Sequence, residues 1–140
     1  MIILMNTPLL LISFLKRAER YFPQKEIISR TAPDVIHQFT YGEYAKRTRK
    51  LASALSELGM TKGTKVGTFA WNTHRHLEAY FAIPCSGAIL HTINIRLAPE
   101  HIVYIVNHAE DEILLIDESL FPLVEPALTL LKTVKHVIVM

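Results

Sequence analysis

The sequence predicts an α/β fold: a mostly parallel sheet with helices on both faces, preceded by a short β-hairpin. Three observations lead there. Short, mainly apolar runs at 66–71, 88–93, 113–116 and 136–139 lack the alternation of a half-solvated strand. Such runs mark strands buried on both sides. Between them lie segments whose apolar residues recur three and four apart, the helical period. Half of the 140 residues are hydrophobic and a fifth are charged. That suffices for one core, with some apolar surface left over for polypeptide to cover.

The first helix is expected over 9–22, after Pro8, with Leu11, Phe14, Leu15, Ala18 and Phe22 as its apolar stripe. Pro23 ends it, because proline disfavours helical geometry in the residue before it. Residues 26–40 form the hairpin: two strands, at 26–29 and 37–40, around Thr31-Ala32-Pro33-Asp34. Residues 41–140 are alternating helix and strand units. Thr40 and Glu43 have the spacing of a capping box, in which each side chain takes a free N–H at the helix start. Tyr44, Thr48, Leu51, Leu55 and Leu58 form the next helical face, and Gly59 supplies its left-handed stop. Strand 66–71 leads through Asn72, read as a cap, to a helix carrying Leu77, Tyr80, Phe81 and Pro84. Strand 88–93 leads to a helix with Pro99 in its first turn and Ile102, Ile105, Val106 and Ala109 on one face. Strand 113–116 precedes a helix over 121–131, and 136–139 is the last strand. An edge strand there would carry unpaired backbone groups, which predicts further polypeptide beyond Met140.

The bulk properties exclude several classes. A net charge of +2 selects no partner. The run Lys46, Arg47, Arg49, Lys50 has no interleaved aromatic residue and reads as a solvated helix face, not as a nucleic-acid patch. One cysteine, Cys85, rules out an internal disulfide and fits a reducing cytoplasm; its apolar context reads as a small buried hydrophobe. The apolar stretches at 1–5 and 9–15 lack the charge order of a leader, since Lys16, Arg17 and Arg20 follow them. Asn6 and Pro8 interrupt them, so no transmembrane segment is expected.

Four patterns could carry chemistry, and none gives a site. Gly59-Met60-Thr61-Lys62-Gly63-Thr64-Lys65 has the wrong spacing for a phosphate loop, and it follows a helix where such a loop follows a strand. Of the seven histidines, His74 and His76 are too close in sequence to share a helix face. His101 and His108 could share one, but no zinc-ligand spacing is present. Ser86, beside Cys85, lies in no nucleophile elbow. Glu110-Asp111-Glu112 reads as a solvated turn. No catalytic, cofactor-binding or metal residue is assigned.

The order of motifs nevertheless carries a family signature. Thr40-Tyr41-Gly42-Glu43, the Gly59–Gly63 turn and Gly87-Ala88 resemble the AMP-forming acyl-CoA synthetases, the adenylate-forming ligases. Arg75-His76-Leu77-Glu78-Ala79-Tyr80-Phe81-Ala82 and Ile105-Val106-Asn107-His108-Ala109-Glu110-Asp111 resemble the medium- and long-chain fatty acid–CoA ligases. Thr64 is a small departure, where the family commonly has an acidic residue. The resemblance implies that 1–140 is an incomplete N-terminal, AMP-binding enzyme domain. The complete enzyme would use ATP, Mg2+ and coenzyme A to join a fatty acid to coenzyme A through an acyl-adenylate. Its phosphate loop and C-terminal domain lie downstream, so this chain alone is expected to be inactive and to bind none of those cofactors. The implied partner is the missing downstream region, or a second copy through the helix at 9–22. The alternative is a non-catalytic α/β interaction or dimerisation module that pairs with a ligase.

Overall fold

The computed structural model describes residues 8–140; the apolar start at 1–5 lies outside them. The elements run α1 (Leu11–Tyr21), β1 (Glu26–Ala32), β2 (Val35–Thr40), α2 (Tyr41–Glu57), β3 (Lys65–Phe69), α3 (His74–Cys85), β4 (Ile89–Thr92), α4 (Pro99–Ala109), β5 (Ile113–Ile116), α5 (Phe121–Val124) and β6 (His136–Val139). The strands β1 and β2 pair antiparallel as the expected hairpin, each longer than its sequence reading. The other strands form one parallel sheet in the order β4-β3-β5-β6. Among the described residues no helix is long and apolar enough to cross a membrane.

Side-chain alternation along β5 divides the core. Ile113 and Leu115 point to one face, where Leu55 of α2 and Ala79 and Ile83 of α3 cover them. Leu114 and Ile116 point to the other, against Ile102 and Val106 of α4 and Val124 of α5. All four β5 residues are buried, so the uninterrupted apolar run follows from the two covered faces. A third cluster, Leu15, Phe39, Tyr44 and Ala45, joins α1, the hairpin and α2.

The helix boundaries follow local chemistry. Thr40 Oγ1 accepts from Glu43 N–H, and Glu43 Oε2 accepts from Thr40 N–H at 2.8 Å, completing the capping box. Gly59 has φ +95°, and α4 opens on Pro99. At the end of α4 it is Glu110, not a glycine, that takes the left-handed conformation, with φ 58°. Replacing Thr40 by Ala is expected to cost about 1 kcal/mol, the usual loss for an N-cap, read as a lower urea midpoint with an unchanged denaturant slope.

Three expectations are corrected. The helix over 121–131 is broken into a 3-10 turn at Glu118–Leu120, one α-turn at Phe121–Val124 and a second 3-10 turn at Glu125–Leu130. Pro126 has no N–H to donate and its ring disfavours helix in the preceding residue. Asn72 does not cap α3; Thr73 holds that position without a side-chain bond, and the His74 N–H is taken by Ser29 Oγ of β1 at 2.9 Å. The stripe of α1 is narrower than its spacing suggests. Leu15 is buried, but Leu11, Phe14 and Phe22 are exposed, because α1 lies against α2 and α3 on one side only.

Candidate functional site

A crevice lies at the carboxyl ends of β3 and β4. The chain leaves β3 for α3 on one face of the sheet, and leaves β4 for α4 on the other. The strand order reverses between β3 and β5, the usual ligand position of such sheets, and the crevice lies one strand to its side. Here it is a cavity of about 420 Å³. Trp71, Asn72, His76 and Tyr80 line it from the β3 side, and Asn94 and Arg96 from the β4 side.

Local contacts hold several of these residues in place. Asn94 Oδ1 accepts from the Arg96 N–H at 3.0 Å, an Asx turn that bends the loop back over the sheet. Trp71 Nε1 donates to Ser119 Oγ at 3.0 Å, which ties the β3 loop to the turn after β5. His76 Nε2 meets Thr68 Oγ1 at 3.0 Å, and its ring lies 4.8 Å from that of Tyr80. Burial lowers the pKa of His76, opposed in part by the Trp71 backbone. His76 is therefore a neutral hydrogen-bonding group on the wall. Arg96 supplies a positive charge, Asn72 and Asn94 supply amides, and Trp71 and Tyr80 supply half-exposed aromatic faces. The arrangement is suited to holding a planar or anionic group. The one hydroxyl beside its imidazole, Thr68, is 0% exposed and so is no accessible nucleophile.

The patterns weighed in the sequence fall elsewhere. The glycines with positive φ, Gly59, Gly63 and Gly87, sit in turns at the amino end of the sheet, so they do not build a phosphate cradle in the crevice. Among the described residues no three His, Cys, Asp or Glu side chains stand close enough to hold a metal ion. Among the described residues neither pattern builds a phosphate cradle or a metal cluster, and no chemical step is routed through ATP or Mg2+. Ser86 Oγ donates to the Ala82 carbonyl at 2.8 Å, a helix-end bond. Cys85 is half-buried rather than buried, and burial raises its thiol pKa. His74 and His76 do point apart, as their spacing requires, but both are buried.

Two polar readings need correction. Glu110-Asp111-Glu112 is not a wholly solvated turn: Asp111 is 0% exposed and its Oδ2 lies 2.7 Å from His91 Nδ1 of β4. The carboxylate crosses above Gly67, where a Cβ would stand 2.9 Å from Oδ2. The basic run on α2 is not merely solvated either. Arg47 binds both carboxylate oxygens of Glu78 on α3, the shorter contact at 2.6 Å, and Arg49 pairs with Glu19 of α1. These pairs tie three helices together. The crevice itself escaped the sequence reading, because its two walls follow different strands, at 71–80 and 94–96, and carry no motif. The available signal was positional: the residues just after consecutive parallel strands.

A parallel sheet covered on both faces by helices, with a hairpin before it and a polar crevice at its carboxyl edge, defines an α/β unit. Residues 15–140 match the AMP-binding enzyme family, and the chain belongs to it. It is 49% identical over 98% of its length to a long-chain-fatty-acid–CoA ligase of Thermus thermophilus. It is 42% identical over 98% of its length to a 3-methylmercaptopropionyl-CoA ligase of Ruegeria lacuscaerulensis. The chain spans about a quarter of the length of each. The crystal structure of an anthranilate CoA ligase superposes with a TM-score of 0.82 at 24% identity, over 96% of this chain and 26% of that one. A long-chain-fatty-acid–CoA ligase of Archaeoglobus fulgidus gives 0.82 at 23%, over 91% and 26%. At those identities the structural likeness speaks for the fold alone.

Proposed function

We propose that the chain is the N-terminal portion of a fatty acid–CoA ligase. The complete enzyme joins a fatty acid carboxylate to ATP, releasing pyrophosphate, and then transfers the acyl group from AMP to the coenzyme A thiol. The observation that carries this reading is the 49% identity over 98% of the chain to the Thermus thermophilus ligase. In this reading the chain is scaffold. Its sheet presents the crevice with Arg96 and Asn94, and residues supplied by the downstream polypeptide do the adenylation. The chain alone is then inactive. Exposed Leu11, Phe14, Tyr21 and Phe22 on and beside α1 favour, as a second reading, an interaction module that pairs with a ligase or with itself.

The test is fatty-acid-dependent ATP–pyrophosphate exchange by the purified chain, alone and mixed with a polypeptide carrying the rest of the Thermus thermophilus ligase. Exchange only in the mixture is expected. Exchange by the chain alone overturns the scaffold reading, and no exchange in a mixture that forms a stable complex supports the interaction module. Replacing Arg96 by Ala is expected to lower exchange in the mixture. Because the side chain is exposed, the stability of the chain should move by less than about 0.5 kcal/mol.

A further inference from the structure

Two histidines sit where the hairpin meets α3, away from the crevice. His37 of β2 and His74, the first residue of α3, stack with ring centroids 4.0 Å apart and planes 21° from parallel. His37 Nε2 and His74 Nδ1 are buried and have no hydrogen-bond partner. We propose that this stacked pair is an acid-released latch, which seats the hairpin on α3 while His74 is neutral and frees it when His74 is protonated.

The geometry opposes a charge on His74. Protonation makes both nitrogens of a ring donors, so an unpartnered buried nitrogen would become an N–H without an acceptor. His74 lies at the amino end of α3, where the helix dipole is positive and disfavours a cation. Arg47 of α2 and Arg75 of α3 repel a charge on His74. Phe39 of β2 meets its ring edge-on at 5.7 Å. From α2, Glu43 attracts a charge on His37, but that carboxylate is engaged by the N–H and Oγ1 of Thr40. Tyr44 of α2, with its pKa raised by burial, is neutral and donates to the Leu77 carbonyl. From β1, Ser29 Oγ receives the His74 N–H, and Arg30 adds a further positive charge along the adjoining cavity. Burial, and after it the neighbouring His37, hold His74 down to about 4.

The linkage sign follows from that depression. The stabilisation is fully present above the ordinary histidine pKa of 6.5, and is lost as pH falls from there through about 4. What is lost is local. A two-stranded hairpin is marginal by itself, and this one is held by the His74 backbone bond, the histidine stack and the Phe39–Tyr44 cluster. The four-stranded sheet has separate cores on its two faces. Release of the hairpin would open the cavity of about 380 Å³ that Ser29, Arg30, His74, Leu77 and Tyr80 line.

Hydrogen exchange of the chain at pH 7 and pH 5, corrected for intrinsic rates, tests the latch. Amides of β1 and β2 are expected to lose protection about tenfold or more at pH 5, a loss sized from the linkage, while those of β5 hold theirs. The double variant His37→Phe and His74→Phe is expected to keep hairpin protection at both pH values. Equal protection of the hairpin at both pH values, equal loss in β5, or an acid loss that survives in the double variant overturns the proposal. Should that variant not fold, ring resonances of His74 in the parent chain decide. Titration in step with hairpin opening supports the latch, and titration near 6.5 with the hairpin still protected overturns it.

Discussion

Replacing Leu115 by Ala is expected to cost about 2–5 kcal/mol, the range for truncating a large buried aliphatic side chain. Leu115 is fully buried at the centre of the cluster that Leu55, Ala79 and Ile83 close. Its strand is paired on both edges, with β3 and with β6. The backbone therefore has no freedom to collapse into the space left behind. Single domains have only about 5–15 kcal/mol to lose, so the variant should be substantially unfolded at modest urea. Val137→Ala is the control: it removes apolar atoms from the same sheet, but its side chain is 38% exposed on edge strand β6. It should move stability by less than about 0.5 kcal/mol, as surface changes do. Urea midpoints at constant slope measure both. Equal losses would mean that the two covered faces are not the source of stability.

Much of the fold was legible because local chemistry and tertiary packing agree. Ile113–Ile116 is apolar at every position and is buried at every position. The capping box of Thr40 and Glu43, the left-handed Gly59 and Pro99 at a helix start are settled by backbone groups within a few residues. What failed depended on elements distant in sequence. The sequence marks α3 by Leu77, Tyr80, Phe81 and Pro84, whereas His74, His76, Glu78 and Ala79 are the more deeply buried. Those polar side chains are tolerated inside because partners arrive from elsewhere: Thr68 of β3 for His76, Arg47 of α2 for Glu78. The same holds for Asp111, which the string Glu110-Asp111-Glu112 makes look solvated, and for the crevice, which only the sheet order assembles.

The Arg47–Glu78 pair shows how such a contact differs from an ordinary surface salt bridge. Glu78 has a side chain only 7% exposed, while Arg47 is 46% exposed. Its hydrogen bonds to Glu78 raise the pKa of Arg47. The guanidinium stays partly in water, and its fork brings two donors to a carboxylate that is nearly buried. The pair fixes α2 against α3 in one register, and those two helices together close the sheet face containing Leu115.

Replacing Gly67 by Ala is expected to cost about 1–3 kcal/mol from overpacking, and more where the buried Asp111 loses its partner. A Cβ at this position would stand 2.9 Å from both Asp111 Oδ2 and Leu114 Cδ1. Backbone freedom is not the reason for glycine here, since Gly67 has no positive φ; space is. Between β4 and β5 the missing side chain lets a fully buried carboxylate reach His91 across the middle strand. Burial raises the pKa of Asp111, and the hydrogen bond and charge of His91 oppose that rise. Displacing His91 removes the opposition, so the folded-state pKa should rise further. A carboxyl whose folded pKa exceeds its unfolded value penalises folding once ionised: the stability is present below the ordinary carboxyl range and lost as pH rises through the folded pKa. The deficit of Gly67→Ala against the parent should therefore grow between pH 4 and pH 7. The acid losses from His74 and His76 are common to both chains and cancel in that difference. Urea midpoints of the two chains across this range measure it, and a deficit independent of pH would show that the clash falls on Leu114 alone.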